Sequence, residues 1–223
     1  MRNLEKTNIP PKPKWRRKPQ CRPDDILDGA LKEFSSRGFV GARIEDIARH
    51  SGLSKGTIYL YFDSKEDMLK ALVRRSVIPI AEALKHLADD LTSDDPDRKA
   101  SDILRAMIML IGDRLSDQKI HSIPLLIIAE AGNFPELVNF YRKEVIDVAM
   151  CSIETVIANG VNSGEFRKLE TNLAVRSLMS VMIMHIIWTG VFAQPDEPEI
   201  SSIKLLNSHI EIFLNGVRAR KET

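Results

Sequence analysis

Apolar residues recur at helical spacing along nearly the whole chain, and this periodicity constrains the fold more than any other feature. Leu27, Ala30, Leu31 and Phe34, for example, fall on one face of a helix that begins near Pro23. Nowhere do apolar and polar residues alternate with the period of two that is typical of a half-buried strand. The sequence therefore predicts an all-α fold with an N-terminal arm, a three-helix unit, a connecting helix and a helical bundle.

Turn and capping residues divide the N-terminal part of this pattern into three helices. Gly38 is expected to end the first helix, and Gly52 to follow a second helix over 44–50 in the left-handed conformation. Ser54 is expected to cap a short third helix that reaches about Tyr61.

The connecting helix and the bundle follow. Ser64 and Asp67 form an S-x-x-D capping box that opens a long helix, and Pro79 is expected to kink or split it. Further helices are predicted over 98–116, 121–131, 135–162, 169–193 and 201–218.

Composition is that of an ordinary folded protein. Of the 223 residues, 43% are apolar and 28% are charged, so disorder over the whole length is not expected. Cys21 and Cys151 are the only cysteines, which gives neither a disulfide framework nor a CxxC pair and suits a reducing compartment. The polar, basic N-terminus lacks the apolar run of a signal peptide, so we expect a cytoplasmic protein.

One stretch, from Ser177 to Pro195, contains no acidic residue, lysine or arginine. Its apolar part, LMSVMIMHIIWTGVFA, is shorter than the roughly 20 residues that a bilayer requires. We therefore predict a buried helix here and no association with a membrane.

Positive charge is concentrated at the N-terminus. Residues 1–22 contain eight lysines and arginines against Glu5, a local net charge of +7, whereas the whole chain carries +1. We expect this segment to be a basic, disordered arm, and its charge suggests a polyanionic partner. The alternative is a tail that only maintains solubility.

The segment IEDIARHSGLSKGTIYLYF meets the steric requirements of a helix-turn-helix. Ala48 is small where the two helices approach each other, and Gly52 takes the turn. Ile47, Leu53 and Ile58 are expected to fill the core between the helices.

The third helix carries a glycine on the face opposite to this core. At about 100° per residue, Ile58 and Phe62 face inward, whereas Gly56 and Leu60 point outward. A glycine near the helix start allows the backbone to approach the major groove of DNA, which recognition helices enter with their N-terminal residues. Alternatively, Leu60 is simply exposed, Tyr61 only covers the core, and Lys65 is an ordinary helix-start residue.

The run GFVGARIEDIARHSGLSKGTIYLYFDSKEDMLKAL, with ILDGALKEFSSRG before it, resembles the tetracycline-repressor (TetR) family of bacterial regulators. The resemblance is strong over 22–75. It implies an arm over 1–22, a DNA-binding domain over 23–68 and an effector-binding and dimerisation domain over 69–223. It also implies a homodimer that binds a near-palindromic operator on double-stranded DNA, and hence a cytoplasmic protein that is associated with the nucleoid when bound.

By this resemblance Lys55, Thr57 and Tyr59 face DNA, whereas Tyr61 and Lys65 hold phosphate. Arg43 departs from the family, which usually has a capping threonine there, because a guanidinium cannot accept a hydrogen bond from a backbone N–H. Arg43 is still able to reach phosphate. The predicted DNA-binding residues are Arg43, Ser54, Lys55, Gly56, Thr57, Tyr59, Leu60, Tyr61 and Lys65.

The bundle is expected to bind a small apolar effector and a second copy of the chain. The effector is expected to enter among the helices near 98–116, 135–162 and 169–193 and to tilt the connecting helix. Candidate pocket residues are Met107, Met109, His121, Glu130, Met150, Met179, His185 and Trp188. Candidate interface residues are Val181, Met182, Ile186, Phe192, Ile203, Leu206, Ile210 and Leu214. The alternative for each methionine is packed core, and for each polar residue a structural role.

Enzymatic function is not expected. The sequence has no E-x-x-H pair for a di-iron site, no G-x-S-x-G and no phosphate-binding glycine loop. Neither a metal nor a cofactor is predicted. The alternative to a regulated repressor is an architectural, chromosome-associated protein of the same fold without an effector.

Overall fold

The computed structural model describes residues 22–92, 98–198 and 200–219. Its α-helices are α1 (Arg22–Gly41), α2 (Ile44–His50), α3 (Lys55–Ile58), α4 (Lys65–Ser76), α5 (Ile78–Asp89), α6 (Ala100–Leu115), α7 (Gln118–Ala129), α8 (Pro135–Tyr141), α9 (Asp147–Asn162), α10 (Thr171–Ile187) and α11 (Ser202–Val217). A 3-10 turn covers Asp90–Thr92, and π-helical turns cover Arg142–Ile146 and Trp188–Phe192. The predicted basic arm lies outside the described residues, apart from Arg22.

The all-α prediction is confirmed for the described residues, which contain no strand and only an isolated bridge between Phe166 and Arg218. Every helix predicted beyond Asp97 begins and ends within three residues of its observed bounds when the π turns are counted with their helices. The predicted helix over 135–162 is α8 and α9 joined through the π turn at Arg142–Ile146.

The three-helix unit follows the predicted turn chemistry. Gly38 has a φ of 70° and interrupts the helical backbone of α1, and Gly52 has a φ of 65° directly after α2. The third helix is shorter than predicted and ends at Ile58. Successive turns still continue beyond it, because the Tyr61 and Phe62 amides both donate to the Ile58 carbonyl.

The connecting helix is split, as its proline predicts. The Ser64 hydroxyl caps α4 by accepting a 3.1 Å hydrogen bond from the Asp67 amide. Val77, with a φ of −111°, separates α4 from α5, and Pro79 lies in the first turn of α5, where a missing N–H has no cost.

The described residues form two apolar cores, and the first extends beyond the N-terminal three-helix unit. It combines buried residues of α1, α2, α3 and α4 with Ile123, Leu126 and Ile127 of α7 and with Leu137 of α8. Leu69, Leu72 and Val73 of α4 also belong to it. The expected domain boundary at 68/69 therefore falls inside a helix whose buried face packs on the N-terminal side, and packing changes sides near Val77.

The second core lies among α5, α6, α9, α10 and α11. Gly160 of α9 marks a very close contact with a buried side chain of this core. A Cβ built there would lie 2.2 Å from Cδ2 of Phe166, whose ring is fully buried. This close approach fixes the chain reversal that follows α9.

The helix over Thr171–Phe192 was predicted to be buried, and in the single chain it is not. It is long and apolar enough to cross a membrane by length and composition, with 22% of its most apolar window buried. One such helix is weak grounds for a membrane span, because the core helix of a soluble protein passes the same test. Its exposed apolar face must be explained in another way.

We expect Gly160→Ala to destabilise the protein by about 1–3 kcal/mol, because the added methyl group must displace the buried Phe166 ring. Urea unfolding followed by circular dichroism measures this change. Gly216→Ala is the matched control, since a Cβ at Gly216 meets nothing within 4 Å. Equal unfolding midpoints for both variants would contradict the packing described here.

Candidate nucleic-acid interface and the cleft beside it

The start of α3 is held by its cap. The Ser54 hydroxyl accepts a hydrogen bond from the Thr57 amide at 3.1 Å and lies 2.8 Å from the Thr57 hydroxyl. On the inner side Ile47 and Ile58 are fully buried. These contacts fix α3 against α2 and orient its opposite face outward.

The outward face of α3 and of the turns that directly follow it carries the predicted residues. Leu60 is 81% exposed, and Tyr59 and Tyr61 are both exposed large side chains. A Cβ at Gly56 would approach nothing closer than the Ser54 hydroxyl at 3.9 Å, so nothing in the chain itself requires a glycine there. The backbone at Gly56 is therefore open to the surface, and its close approach to a groove of DNA stays a prediction.

Lys55 on this face is already paired. Its ammonium group donates to a carboxylate oxygen of Glu45 in α2 and lies 6.0 Å from the centre of the Tyr59 ring. The hydrogen bond with Lys55 lowers the pKa of Glu45, and the bond with Glu45 raises the pKa of Lys55. Both groups are therefore charged at neutral pH, and Glu45 is an unpredicted partner of the lysine that was expected to face DNA.

Lys65 does not have the free ammonium group that a phosphate contact requires. Its Nζ donates to the carbonyl oxygens of Phe39 (2.7 Å), Ala42 (3.0 Å) and Val40 (3.1 Å) and lies 5.1 Å from the centre of the Phe39 ring. Because an ammonium group has three hydrogens, these bonds use all of them. Lys65 thus ties the end of α1 to the start of α4, which corrects the expectation that it holds phosphate.

Arg43 precedes α2 in an extended conformation and makes no capping hydrogen bond through its side chain. The expected loss of the cap is therefore observed, and Glu45 and Asp46 in the first turn favour the positive end of the helix instead. A contact between Arg43 and DNA stays a prediction.

The predicted effector pocket is not assembled where it was expected. Met107 is fully buried in the bundle core, and Met150 and Met179 pack against the same core. Met109 is half-buried on α6. Glu130 is buried at the end of α7, where its carboxylate accepts a 3.0 Å hydrogen bond from the Asn133 side chain. Met107, Met150, Met179 and Glu130 are therefore packing or local structural groups, which corrects their assignment to a pocket, whereas the pocket role of Met109 stays a prediction.

The other three candidates, His121, His185 and Trp188, meet in a different place. They line a cleft of about 1690 Å³ between the bundle and the three-helix unit. Residues of α1 and of the end of α2 line the other side of this cleft. The sequence does not predict them, because a periodic pattern does not show which helices face each other across a gap. Nor does the sequence predict Thr189, which bonds to His121 at 2.7 Å.

The predicted dimer interface is partly wrong. Ile186, Leu206, Ile210 and Leu214 are buried in the protomer's own core, so they are not available to a second chain. Val181, Met182 and Ile203 are half-buried, and Phe192 is exposed. The exposed large apolar residues of α10, its π turn and α11 that the predicted interface does not include are Leu173, Ile183, Met184, Trp188, Val191 and Ile212.

The wrong assignment of buried residues to the dimer interface has a physical cause. Both α10 and α11 are apolar on more than one face, so periodicity alone does not distinguish the face that packs inside the protomer. In α11 the buried stripe contains Ile210, whereas Ile212 projects from the other side and is 69% exposed.

Comparisons with known proteins agree with this arrangement. Residues 26–72 match the family described as bacterial regulatory proteins, tetR family. The fatty acid metabolism regulator protein of Bacillus subtilis is 23% identical over 194 residues, which span 86% of this chain and 93% of that protein. The N-terminal unit of the chain therefore matches the TetR family of transcriptional regulators, and similarity to a curated regulator continues over most of the chain.

Solved structures share the fold over most of its length. FadR of Bacillus subtilis in complex with stearoyl-CoA has a TM-score of 0.66 at 21% identity, covering 87% of this chain and 99% of that one. SmeT, the repressor of the Stenotrophomonas maltophilia multidrug efflux pump SmeDEF, has a TM-score of 0.68 at 19% identity, covering 90% and 92%.

We expect Lys55→Ala to weaken DNA binding and to lower the slope of log K against log salt by about one, because one phosphate-neutralising charge is lost. Glu45→Gln is expected to tighten binding at low salt by about twofold to fivefold, because it frees Lys55 and removes a negative charge from the interface. Fluorescence anisotropy over a salt series measures both. Weaker binding by Glu45→Gln would mean that the pair positions Lys55 for DNA.

Lys65→Met is expected to lower the free energy of unfolding by about 1–3 kcal/mol, because three carbonyl groups lose their donor. Lys85→Met, at an exposed position of α5, serves as the control for loss of a lysine charge. If Lys65→Met unfolded like the wild type but bound DNA with a lower salt slope, the phosphate role would be restored.

Proposed function

We propose that the protein is a ligand-responsive repressor that binds a near-palindromic operator as a homodimer. The observation that carries this proposal is the capped α3, which presents Gly56, Tyr59 and Leu60 outward from a rigid helix-turn-helix. Recognition helices of this kind enter the major groove with their first residues. Lys55 and Thr57 lie in the same turn, and we propose that they contact the operator with Tyr59, while Arg43 and Tyr61 contact phosphate.

A homodimer accounts for the exposed face of α10 and α11. Met184, Trp188 and Val191 lie on one side of α10 and its π turn, and Ile212 is exposed on the neighbouring α11. Apolar surface of this extent is typical of an interaction site, and a second copy of the same chain buries it symmetrically. Two copies also supply the two recognition helices that a two-part operator requires.

Response to a ligand is supported by the relatives. FadR of Bacillus subtilis was solved with stearoyl-CoA, and SmeT is the repressor of a multidrug efflux pump. We propose that this chain likewise responds to a small, largely apolar molecule, that it acts without enzymatic activity, and that it works in the bacterial cytoplasm on the nucleoid. We place the boundary between its DNA-binding and effector domains near Val77, where packing changes sides.

Selection of bound duplexes from random DNA, followed by footprinting across the genome, tests the proposal. A few near-palindromic sites close to promoters would support a repressor. Many sites spread widely would favour the architectural alternative. If no sequence is selected at all, DNA recognition by this protein is contradicted.

We expect Ile212→Asp to give monomers while the helical content is preserved, because this side chain is exposed in the protomer and buried only by a partner. Ile210→Asp is the matched contrast, since it places a charge in the protomer's own core and is expected to unfold the chain. Light scattering with circular dichroism separates the two outcomes. A folded dimer of Ile212→Asp would place the interface elsewhere.

A further inference from the structure

We propose that the π turn Trp188–Phe192 sets the distance between the two recognition helices of the dimer, and that Gly190 is the positioning residue within it. This inference rests on the proposed function, because it assumes a homodimer on a two-part operator. It deepens that function by assigning to named residues the separation of half-sites that the protein accepts.

The π turn has two sides with different contacts. Trp188, Val191 and Phe192 are exposed, on the apolar face that we propose a second copy buries. The rings of Trp188 and Phe192 lie together there, with their centres 6.0 Å apart. Thr189 and Gly190, between them in sequence, contact α7 instead. Five consecutive residues therefore join the proposed partner surface to α7.

Two neighbouring contacts hold the π turn on α7. The Thr189 hydroxyl lies 2.7 Å from Nε2 of His121. One helical turn further along α7, a Cβ at Gly190 would lie 2.1 Å from Cδ1 of Leu125, 3.1 Å from Cδ2 and 3.2 Å from Cγ. A glycine is less favourable than alanine in a helix. Here it permits an approach that any side chain would prevent unless Leu125 or α7 moved.

The helix α7 extends this contact to the DNA-binding unit, because its residues belong to both apolar cores. Leu125 packs against the core of the bundle, so turning its side chain away would give up that packing. Ile123, Leu126 and Ile127 are buried in the core that also contains Ile58 of α3. A displacement of α7 at Leu125 therefore moves the helix-turn-helix with it.

The size of this displacement matches the step between base pairs of DNA. Relief of the contact from 2.1 Å to the 3.4 Å of ordinary packing requires a movement of about 1.3 Å in each protomer. Twofold symmetry applies the movement to both recognition helices, so their separation changes by up to about twice this distance. Half-sites 10–10.5 base pairs apart span about 34–36 Å, so one base pair corresponds to about 3.4 Å.

Gly190→Val tests the contact by adding a side chain to the π turn. Random-sequence duplexes are selected with the full-length wild type and with the variant, and the separation of the half-sites is compared. We expect the variant to select a separation that differs by about one base pair. We also expect it to bind the wild-type operator about tenfold or more weakly, because contact with both half-sites at once is lost.

A single half-site distinguishes positioning from a general defect. Duplexes that carry one half-site are expected to bind the wild type and Gly190→Val equally, because the recognition helix itself is unchanged. Circular dichroism and light scattering establish that the variant is folded and dimeric. Gly132→Ala is the matched control for an added side chain, since a Cβ at Gly132 meets nothing within 4 Å. It is expected to keep the wild-type separation.

The compensating pair is Gly190→Val with Leu125→Ala, which keeps the number of side-chain carbons at the contact unchanged. Volume-conserving exchanges are tolerated best in packed sites, so we expect this pair to restore the wild-type separation. If Gly190→Val does not fold, Leu125→Ala alone tests the contact by removing it. Operators lengthened or shortened by one base pair are then expected to bind within about twofold of the original, because α7 is no longer held at a fixed distance.

The outcomes separate this inference from the proposed function. If folded, dimeric Gly190→Val keeps the wild-type separation, the inference is overturned. It is also overturned if Leu125→Ala leaves a changed separation uncorrected, or if Leu125→Ala alone discriminates between operator lengths like the wild type. If the wild type selects no two-part site, the proposed function itself fails, and the inference fails with it.

Discussion

The structure depends on the burial of α7 against the DNA-binding unit. Ile123, Leu126 and Ile127 close the same apolar core that Phe34 of α1 and Ile58 of α3 occupy. Fully burying side chains of this kind contributes about 1.5–3 kcal/mol each. The helix-turn-helix is therefore not a separate module on a flexible connection. Its position is set by packing against α7, a helix of the C-terminal part of the chain.

This shared core changes the route by which the two halves of the molecule communicate. The connecting helix is broken at Val77, so it is not a straight rod from α3 to the bundle. The two halves are also in direct lateral contact, because α1 packs on α7 and α4 packs on α8. The cleft lies beside this contact, with residues of α1 and α7 on its facing walls.

Local signals in the sequence predict the helices, their turns and their caps well. The left-handed glycine at Gly52 and the caps at Ser54 and Ser64 act within a few residues, so their structural outcome is readable from the sequence. Side-chain partners across space are not readable in this way. Lys65 looks like a lysine for phosphate, and only the fold brings three carbonyls of the α1 end to it. For the same reason, the buried face of α11 was assigned to the dimer interface, and methionines of the bundle core were assigned to the effector pocket.

The pair of Lys55 and Glu45 has a consequence for how the protein searches a chromosome. A repressor meets a vast excess of unrelated sequence, to which it is held mainly by lysines and arginines on phosphates. Because Lys55 carries its own counterion, the proposed contact with a DNA backbone has to break that pair first. A site that also offers contacts with bases compensates for the lost pair, whereas an arbitrary sequence does not. Under the proposed function, the carboxylate of Glu45 therefore favours the correct site by weakening contact with all others.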